Sequence, residues 1–261
     1  MQLAIRADVF HRALKSTAFA ASRDFDPRRP AFSGVLLDVT PRKFRVVATD
    51  GYRLALFESG DGHDCRESAT AILSARELVD LKLPRRSDAI IKIAVNDAEA
   101  VIQHEKAAFH VPVIQARFPY YFDVFPPIEG SITLRCEKAE FVKALIAARQ
   151  KTTRKNRSVF FWVRPGFIAV AAENANTISP VRIEARSDYS MDGIADCNYL
   201  LDAAQALPTG DVQIRIVPPY ERRLISNAIE LSPVVQSPFT IRQLVMPCWR
   251  SSIPPLPGVD S

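Results

Sequence analysis

Two halves of this chain spell the same order of elements, and that duplication limits the folds open to it. The first half opens with Gln2-Leu3-Ala4-Ile5-Arg6-Ala7, whose alternation suits a strand. Asp8 stands where a helix cap is expected, ahead of a helix from about Val9 to Ala20 with Phe10, Ala13, Leu14 and Phe19 on its core side. The second half repeats the opening: Ile132, Leu134 and Cys136 alternate as Leu3, Ile5 and Ala7 do. A helix from about Lys138 to Arg149 follows, turning Phe141, Leu145 and Ala148 inward. The match needs a two-residue adjustment before Phe10 and Phe141.

A second correspondence needs no adjustment. The ten residues from Ala71 to Asp80 match those from Gly193 to Asp202, each a short strand entering a helix, with Ser74 and Asp196 as caps or near-caps. Ala89 to Val95 and Val212 to Val217 are the strands that follow, each after a turn-like segment. Between the helices lie strand candidates at Phe32 to Asp38, Phe44 to Thr49 and Arg53 to Phe57. Their counterparts are Val159 to Val163, Phe167 to Ala172 and Pro180 to Arg186. Further strands near Val101-Ile102 and Phe109 to Ile114 answer to Arg223 to Asn227 and Thr240 to Met246. Such meanders favour antiparallel pairing, and the helices must cover the apolar faces of the sheets, so the fold class is α+β. The boundary is placed in Phe125-Pro126-Pro127-Ile128-Glu129-Gly130, giving domains at 1–128 and 129–250. Residues 251–261 read as an irregular linker or mobile tail.

Composition narrows function. With 48% hydrophobic residues the chain can build substantial cores. The formal charge of +5 is uneven: 18 basic against 17 acidic residues up to Glu129, then 16 against 12. That excess permits nonspecific association with nucleic acid without establishing it. The four cysteines, Cys65, Cys136, Cys197 and Cys248, form no CxxC pair, which argues against a disulfide framework or zinc site. The expected setting is a reducing cytoplasm, with no secretory leader and no membrane span.

Three ordered segments carry a family resemblance. Ala48-Thr49-Asp50-Gly51-Tyr52-Arg53-Leu54-Ala55 resembles the ATDGHRLA signature of the second domain of bacterial DNA polymerase III sliding clamps, with tyrosine in the histidine position. Phe118-Pro119-Tyr120-Tyr121-Phe122-Asp123-Val124-Phe125-Pro126 looks like the FPDYxxVxP segment before the third domain. Leu244-Val245-Met246-Pro247-Cys248-Trp249-Arg250 resembles the terminal VMPMRL segment, with Cys248 and Trp249 replacing the usual order and Arg250 shifted by one place. The resemblance implies two clamp-like domains of processivity fold, counterparts of the second and third; no first-domain counterpart is recognised. Three such chains restore a six-domain ring, so a homotrimer is one expected assembly, beside a monomer or open dimer.

The family further implies sequence-independent contact with duplex DNA along helices that line a central hole. The matching candidates are Arg12, Lys15, Lys138 and Lys143, then Arg76 and Lys82 near the second helix of the first half. The densest basic tract, Arg149, Lys151, Arg154, Lys155 and Arg157, falls in a loop suited to salt-sensitive phosphate contact. The family also implies a cleft between the two domains that takes a short peptide from a polymerase or repair protein. Its matching positions are Phe32, Thr49, Gly51, Tyr52, Arg53 and Leu54, with Pro126, Val245, Met246 and Pro247 on the other wall. The implied partners are double-stranded DNA, such peptide-bearing proteins and a clamp loader, in a cytoplasmic, nucleoid-associated setting. The competing expectations are a clamp-derived regulatory or interaction module that does not encircle DNA, and a fragment of a three-domain clamp.

Catalysis has little support. His11, His63, His104 and His110 show no ligand spacing, and the sequence holds no P-loop, GxSxG, HExxH or dinucleotide fingerprint. Asp50 near Arg53 is explained by turn chemistry, since aspartate bonds its own backbone amides there. No enzyme activity, cofactor or metal is expected.

Overall fold

The computed structural model describes residues 1–84, 89–172, 178–187, 189–217, 228–234, 237–248 and 253–257. Contacts divide the chain into two units: Met1–Tyr120 with Ser237–Arg242, and Tyr121–Gln236 with Gln243–Ser261. The architecture is α+β, with mainly antiparallel strand pairing among the described residues.

Unit 1 runs β1 (Gln2–Arg6), α1 (Ala7–Thr17), β2 (Gly34–Thr40), β3 (Lys43–Thr49), β4 (Arg53–Ser59), β5 (His63–Asp64), β6 (Ala69–Ser74), α2 (Ala75–Val79), β7 (Ile90–Val95), β8 (Glu99–His104) and β9 (Ala107–Pro112). One sheet has the order β5-β1-β7-β8-β9 and another row the order β6-β2-β3-β4. Alternation sorts their faces: in β1, Leu3 and Ile5 are buried, and they lie opposite Ile93 and Ile91 of β7. Phe10 of α1 enters the core beside Phe44, whose ring also meets Phe57 edge-on.

Unit 2 repeats that order as β10 (Ile132–Glu137), α3 (Lys138–Arg149), β11 (Ser158–Arg164), β12 (Phe167–Ala172), β13 (Val181–Arg186), β14 (Met191–Asp196), α4 (Cys197–Ala206), β15 (Asp211–Ile216), β16 (Ile229–Pro233) and β17 (Phe239–Val245). Its rows β14-β11-β12-β13 and β10-β15-β16-β17 reproduce the two rows of unit 1. They meet where Arg135 and Cys136 pair with Arg186 and Ala185. The first residues of β17 group with unit 1 and the last with unit 2.

Local chemistry differs from expectation at several places. Asp8 is not the cap: β1 runs straight into α1, Arg6 holds the cap position, and Asp8 pairs with it at 2.7 Å from inside the first turn. α1 ends at Thr17, and residues 18–20 tighten into a 3₁₀ turn. Ser74 stands at the start of α2 but donates its hydroxyl to the Glu77 carboxylate instead of accepting a backbone amide. Asp196 does cap α4, accepting from the Asn198 and Tyr199 amides at 2.8 and 3.2 Å. Phe32 lies on a 3₁₀ turn, Pro30–Ser33, and not in β2. The two residues of β5, His63 and Asp64, pair with Ile5 and Ala4 of β1.

The segment read as a mobile tail is built into unit 2 where it is described. Leu256 is 1% exposed, in a cluster with Phe160, Trp162, Ala169, Ala171 and Ile194. The Trp162 indole donates to the Pro254 carbonyl at 3.0 Å. The strand expected at Arg223 to Asn227, and Trp249 and Arg250, lie outside the described residues.

Candidate functional site

The β3–β4 connection in unit 1 gathers most of the expected peptide-binding positions. Thr49 and Leu54 are opposite one another in the ladder, so three residues, 50–52, make the turn. Asp50 organises it: Oδ1 accepts from the Tyr52 and Arg53 amides at 2.9 and 3.1 Å. Buried Thr49 adds a second clasp, its hydroxyl donating to the Arg53 carbonyl at 2.6 Å and accepting from the Gly51 amide at 3.0 Å.

Gly51 has φ of +91°, where a side chain is strained. A Cβ there would also lie 3.0 Å from Cε2 of Phe32. Glycine thus satisfies the turn at a point where a side chain would press on the Phe32 ring. Arg53 is held from three directions. Its Nε donates to Asp50 Oδ2 at 3.0 Å, its Nη2 donates to the Phe19 carbonyl at 2.7 Å, and its guanidinium sits 5.4 Å over the Phe19 ring. The backbone lock leaves Tyr52 61% exposed at the tip, a large aromatic on a fixed base. Leu54 is buried and serves the core.

The expected positions in unit 2 form a second group. Pro126 is buried in the chain leading to β10. At the end of β17, Val245 is fully buried while Met246 is 40% exposed. Pro247 bridges to Ala195 of β14, and the Cys248 amide donates to the Ile194 carbonyl at 2.9 Å. Met246 is therefore presented from a pinned backbone, with a side chain that adapts to irregular partners.

Sequence reasoning missed Phe19 and Arg29. Phe19 holds Arg53 from 34 positions away, beyond any local pattern. Arg29 lies with its guanidinium 5.4 Å over the Phe32 ring.

The expected DNA-facing residues are not equivalent. Lys15 is exposed on α1, and Arg12 is exposed with its guanidinium 4.9 Å over the Phe239 ring. Arg76 is exposed on α2, which spans only five residues; Lys82 lies beyond its end. Lys143 is exposed and 3.7 Å from Glu140. Lys138, expected among the DNA-facing residues, is half-buried, and its Nζ donates to the Gln205 and Leu207 carbonyls at the end of α4. Arg149 closes α3, and Lys151, Arg154 and Lys155 are exposed in the loop after it. Arg157 of the same tract pairs with Asp196 at 3.3 Å.

Reactive chemistry has no foothold at the cysteines with the largest shifts. Burial, and after it Asp211, pushes the Cys136 thiol up to about 12; burial and Asp196 do the same to Cys197. Among the described residues no group of three or more His, Cys, Asp or Glu side chains is placed to hold a metal ion. None of their helices is long and apolar enough to cross a membrane.

Comparison with known proteins agrees with this geometry. The family described as DNA polymerase III beta subunit, central domain, matches residues 4–120, which contain the Asp50 turn. The beta sliding clamp of Caulobacter vibrioides is 24% identical over 237 residues, covering 88% of this chain and 63% of that protein. This chain is a homologue in the bacterial DNA polymerase III beta sliding-clamp family. The Synechocystis beta sliding clamp is likewise 24% identical, over 79% of this chain and 56% of its own length. The clamp homologue thus spans less than two thirds of these relatives.

Its fold is that of solved clamps. A Pseudomonas aeruginosa DNA polymerase sliding clamp superposes with a TM-score of 0.82 at 18% identity, over 96% of this chain and 66% of that one. The C. crescentus beta sliding clamp gives 0.80 at 22% identity, over 95% and 66%. Beta-clamp proteins are non-catalytic processivity factors, in keeping with the reading of this clamp homologue as a non-enzyme.

Proposed function

We propose that this chain is a clamp-derived interaction module, with domains at 1–128 and 129–250 akin to the second and third of a beta clamp. It docks a short apolar peptide of a DNA polymerase or repair protein and raises that partner's local concentration at DNA. The observation that carries this reading is the locked turn in unit 1. Asp50, Thr49 and Arg53 fix the backbone so that Tyr52 is presented, with half-buried Phe32 beside Gly51. A rigid aromatic on a pre-built base loses little entropy on binding, which suits it to anchor a peptide side chain. Met246, exposed at the end of β17, is the second apolar contact in this reading.

Fluorescence anisotropy with a labelled clamp-binding peptide from a replicative polymerase tests it. Saturable binding is expected, weakened about ten-fold or more by Tyr52→Ala or Met246→Ala. Absence of binding to a folded chain, or binding untouched by both changes, overturns the reading.

Encirclement of duplex DNA, with a loader to open the ring, is the second reading. It is favoured by exposed Lys15, Arg149, Lys151, Arg154 and Lys155 and places the protein at the nucleoid. Retention on circular but not linear duplex is its test, because only a closed ring distinguishes the two.

A further inference from the structure

The internal repeat shows where unit 2 departs from unit 1. Ser74 and Asp196 stand at the starts of α2 and α4, and they pair with Gly34 of β2 and Ser158 of β11. Counting from that shared point puts Trp162 where unit 1 has Asp38, and Ala169 where it has Arg45. In unit 1 these positions carry a half-buried ion pair, Arg45 Nη1 to Asp38 Oδ2 at 3.2 Å, which Glu58 extends from β4. In unit 2 they carry an indole and a methyl group, and Phe160, Ala171 and Ile194 continue the apolar surface on the same side of the sheet. Leaving such a surface in water costs about 25 cal/mol for each Å2, so it needs a cover.

Among the described residues the cover is Ile253-Pro254-Pro255-Leu256-Pro257. This segment holds three prolines and no charge, a composition that favours extended polyproline II, whose carbonyls face outward. The indole N–H of fully buried Trp162 donates to the Pro254 carbonyl at 3.0 Å. Leu256 is the buried anchor, while Pro255 and Pro257 on either side of it are exposed. Charged groups rim the apolar centre: Arg164 pairs with Asp192 at 2.6 Å, and the Arg182 guanidinium sits 5.0 Å over the Phe167 ring. An aromatic donor, one apolar socket and a polar rim are the means by which aromatic surfaces hold proline-rich peptides.

We infer that the Trp162 face of unit 2 is a peptide site for a proline-rich segment with leucine between prolines, occupied by the chain's own tail until a partner bearing such a segment displaces it. The tail itself supplies the chemistry of the ligand. Four residues, 249–252, connect Cys248 to Ile253, and so short a tether gives the tail an effective concentration on the order of millimolar. A second copy's tail at ordinary protein concentration does not compete with that. A partner must bring further contacts, and Arg164, Asp192 and Arg182 are placed to make them.

The inference lies wholly within unit 2 and does not need the docking reading at Tyr52. Its probe is a labelled synthetic peptide with the sequence of residues 251–258, read by anisotropy. The parent chain should bind it only at concentrations on the order of millimolar. Leu256→Ala loosens the tail's own hold and should bind the peptide about ten-fold or more tightly than the parent does. Trp162 emission in that variant should move to shorter wavelength as the peptide seats. Trp162→Phe in the same background removes the indole donor and should weaken binding about five-fold, whereas Tyr52→Ala should leave it unchanged. The parent supplies a measurement that needs no variant. Leu256 carries the one backbone N–H among residues 254–257, and its hydrogen exchange should quicken as peptide displaces the tail; this alone decides the matter if Leu256→Ala does not fold. A folded Leu256→Ala chain that ignores the peptide, or Leu256 exchange in the parent that is indifferent to it, overturns the inference and makes the tail a fixed cover. So does equal binding by the parent and Leu256→Ala, or binding lost in Tyr52→Ala, either of which puts the peptide elsewhere.

Discussion

Arg53 and Asp50 close on each other across the turn that separates them, Nε to Oδ2 at 3.0 Å, with side chains only 10% and 12% exposed. The same carboxylate accepts two backbone amides. Asp50→Ala removes three hydrogen bonds at once and takes the carboxylate away from a guanidinium that is largely shielded from water. A loss of about 2–4 kcal/mol is expected. Asp50→Asn keeps the acceptor for the amides and should cost less. Urea denaturation of both variants checks this; equal stability would show that the turn is held by Thr49 alone.

Position 51 separates backbone strain from recognition. Gly51→Ala meets both a φ of +91° and the Phe32 ring. A destabilisation of about 1 kcal/mol or more is expected, together with weaker peptide binding because the added methyl presses on the Phe32 ring. Tyr52→Ala is the contrasting case. Its ring is mostly in solvent, so stability should stay within about 0.5 kcal/mol of the parent while anisotropy reports a weaker complex.

A pH dependence resides on the outer side of β2–β3–β4. Burial pushes the Glu58 carboxyl up, but Lys43 at 2.9 Å and Arg45 at 2.5 Å more than offset it and hold it below the usual carboxylate range. A depressed carboxylate contributes its stability above the unfolded pKa and loses it as pH falls through the folded one. Glu58→Gln should therefore be less stable than the parent at neutral pH, with the gap closing in acid. Thermal melts from pH 7 down to pH 3 read the two curves; a gap constant with pH would locate the effect in packing.

How much of this was legible in the sequence depends on the range of each interaction. Helix Lys138–Arg149 and strand Phe167–Ala172 fall where periodicity puts them, because one packed face dictates both. The repeated element order gave the paired architecture, since matching rows of strands need matching alternation. Asp8 misled because a good capping residue sits one turn too late when a strand feeds directly into a helix. Phe19 was invisible as a partner of Arg53, because a carbonyl 34 residues away leaves no local signature. β5 was missed because two residues cannot display a period.

Lys138 separates a structural lysine from a DNA-facing one. Its ammonium satisfies carbonyls at the end of α4, a helix with no basic residue of its own. Lys138→Ala should lower stability by about 1 kcal/mol and leave retention on circular duplex unchanged once folding is matched by temperature. Replacing Lys151, Arg154 and Lys155 together by Ser should do the reverse. Stability holds, and the salt dependence of DNA binding becomes shallower, by about 0.9 in log–log slope for each phosphate that is no longer neutralised. If Lys138→Ala alone abolished DNA retention, the ammonium would have to leave α4 to reach phosphate.

Leu256 gives the sharpest test of the chain's last described segment. A residue read as part of a free tail should tolerate any substitution, whereas a buried one that packs in the Trp162 cluster should not. Leu256→Ala leaves a void beside an indole that is itself fully buried and tied to the Pro254 carbonyl. A cost of about 2–4 kcal/mol is expected, because close-packed surroundings recover little of the lost volume. Trp162 supplies the local readout. Its fluorescence should shift to longer wavelength in the variant as water reaches the ring, and unit 2 should lose protection from exchange in β11 and β12 before unit 1 does. An unshifted emission with unchanged stability would detach the segment from the core and return it to the surface.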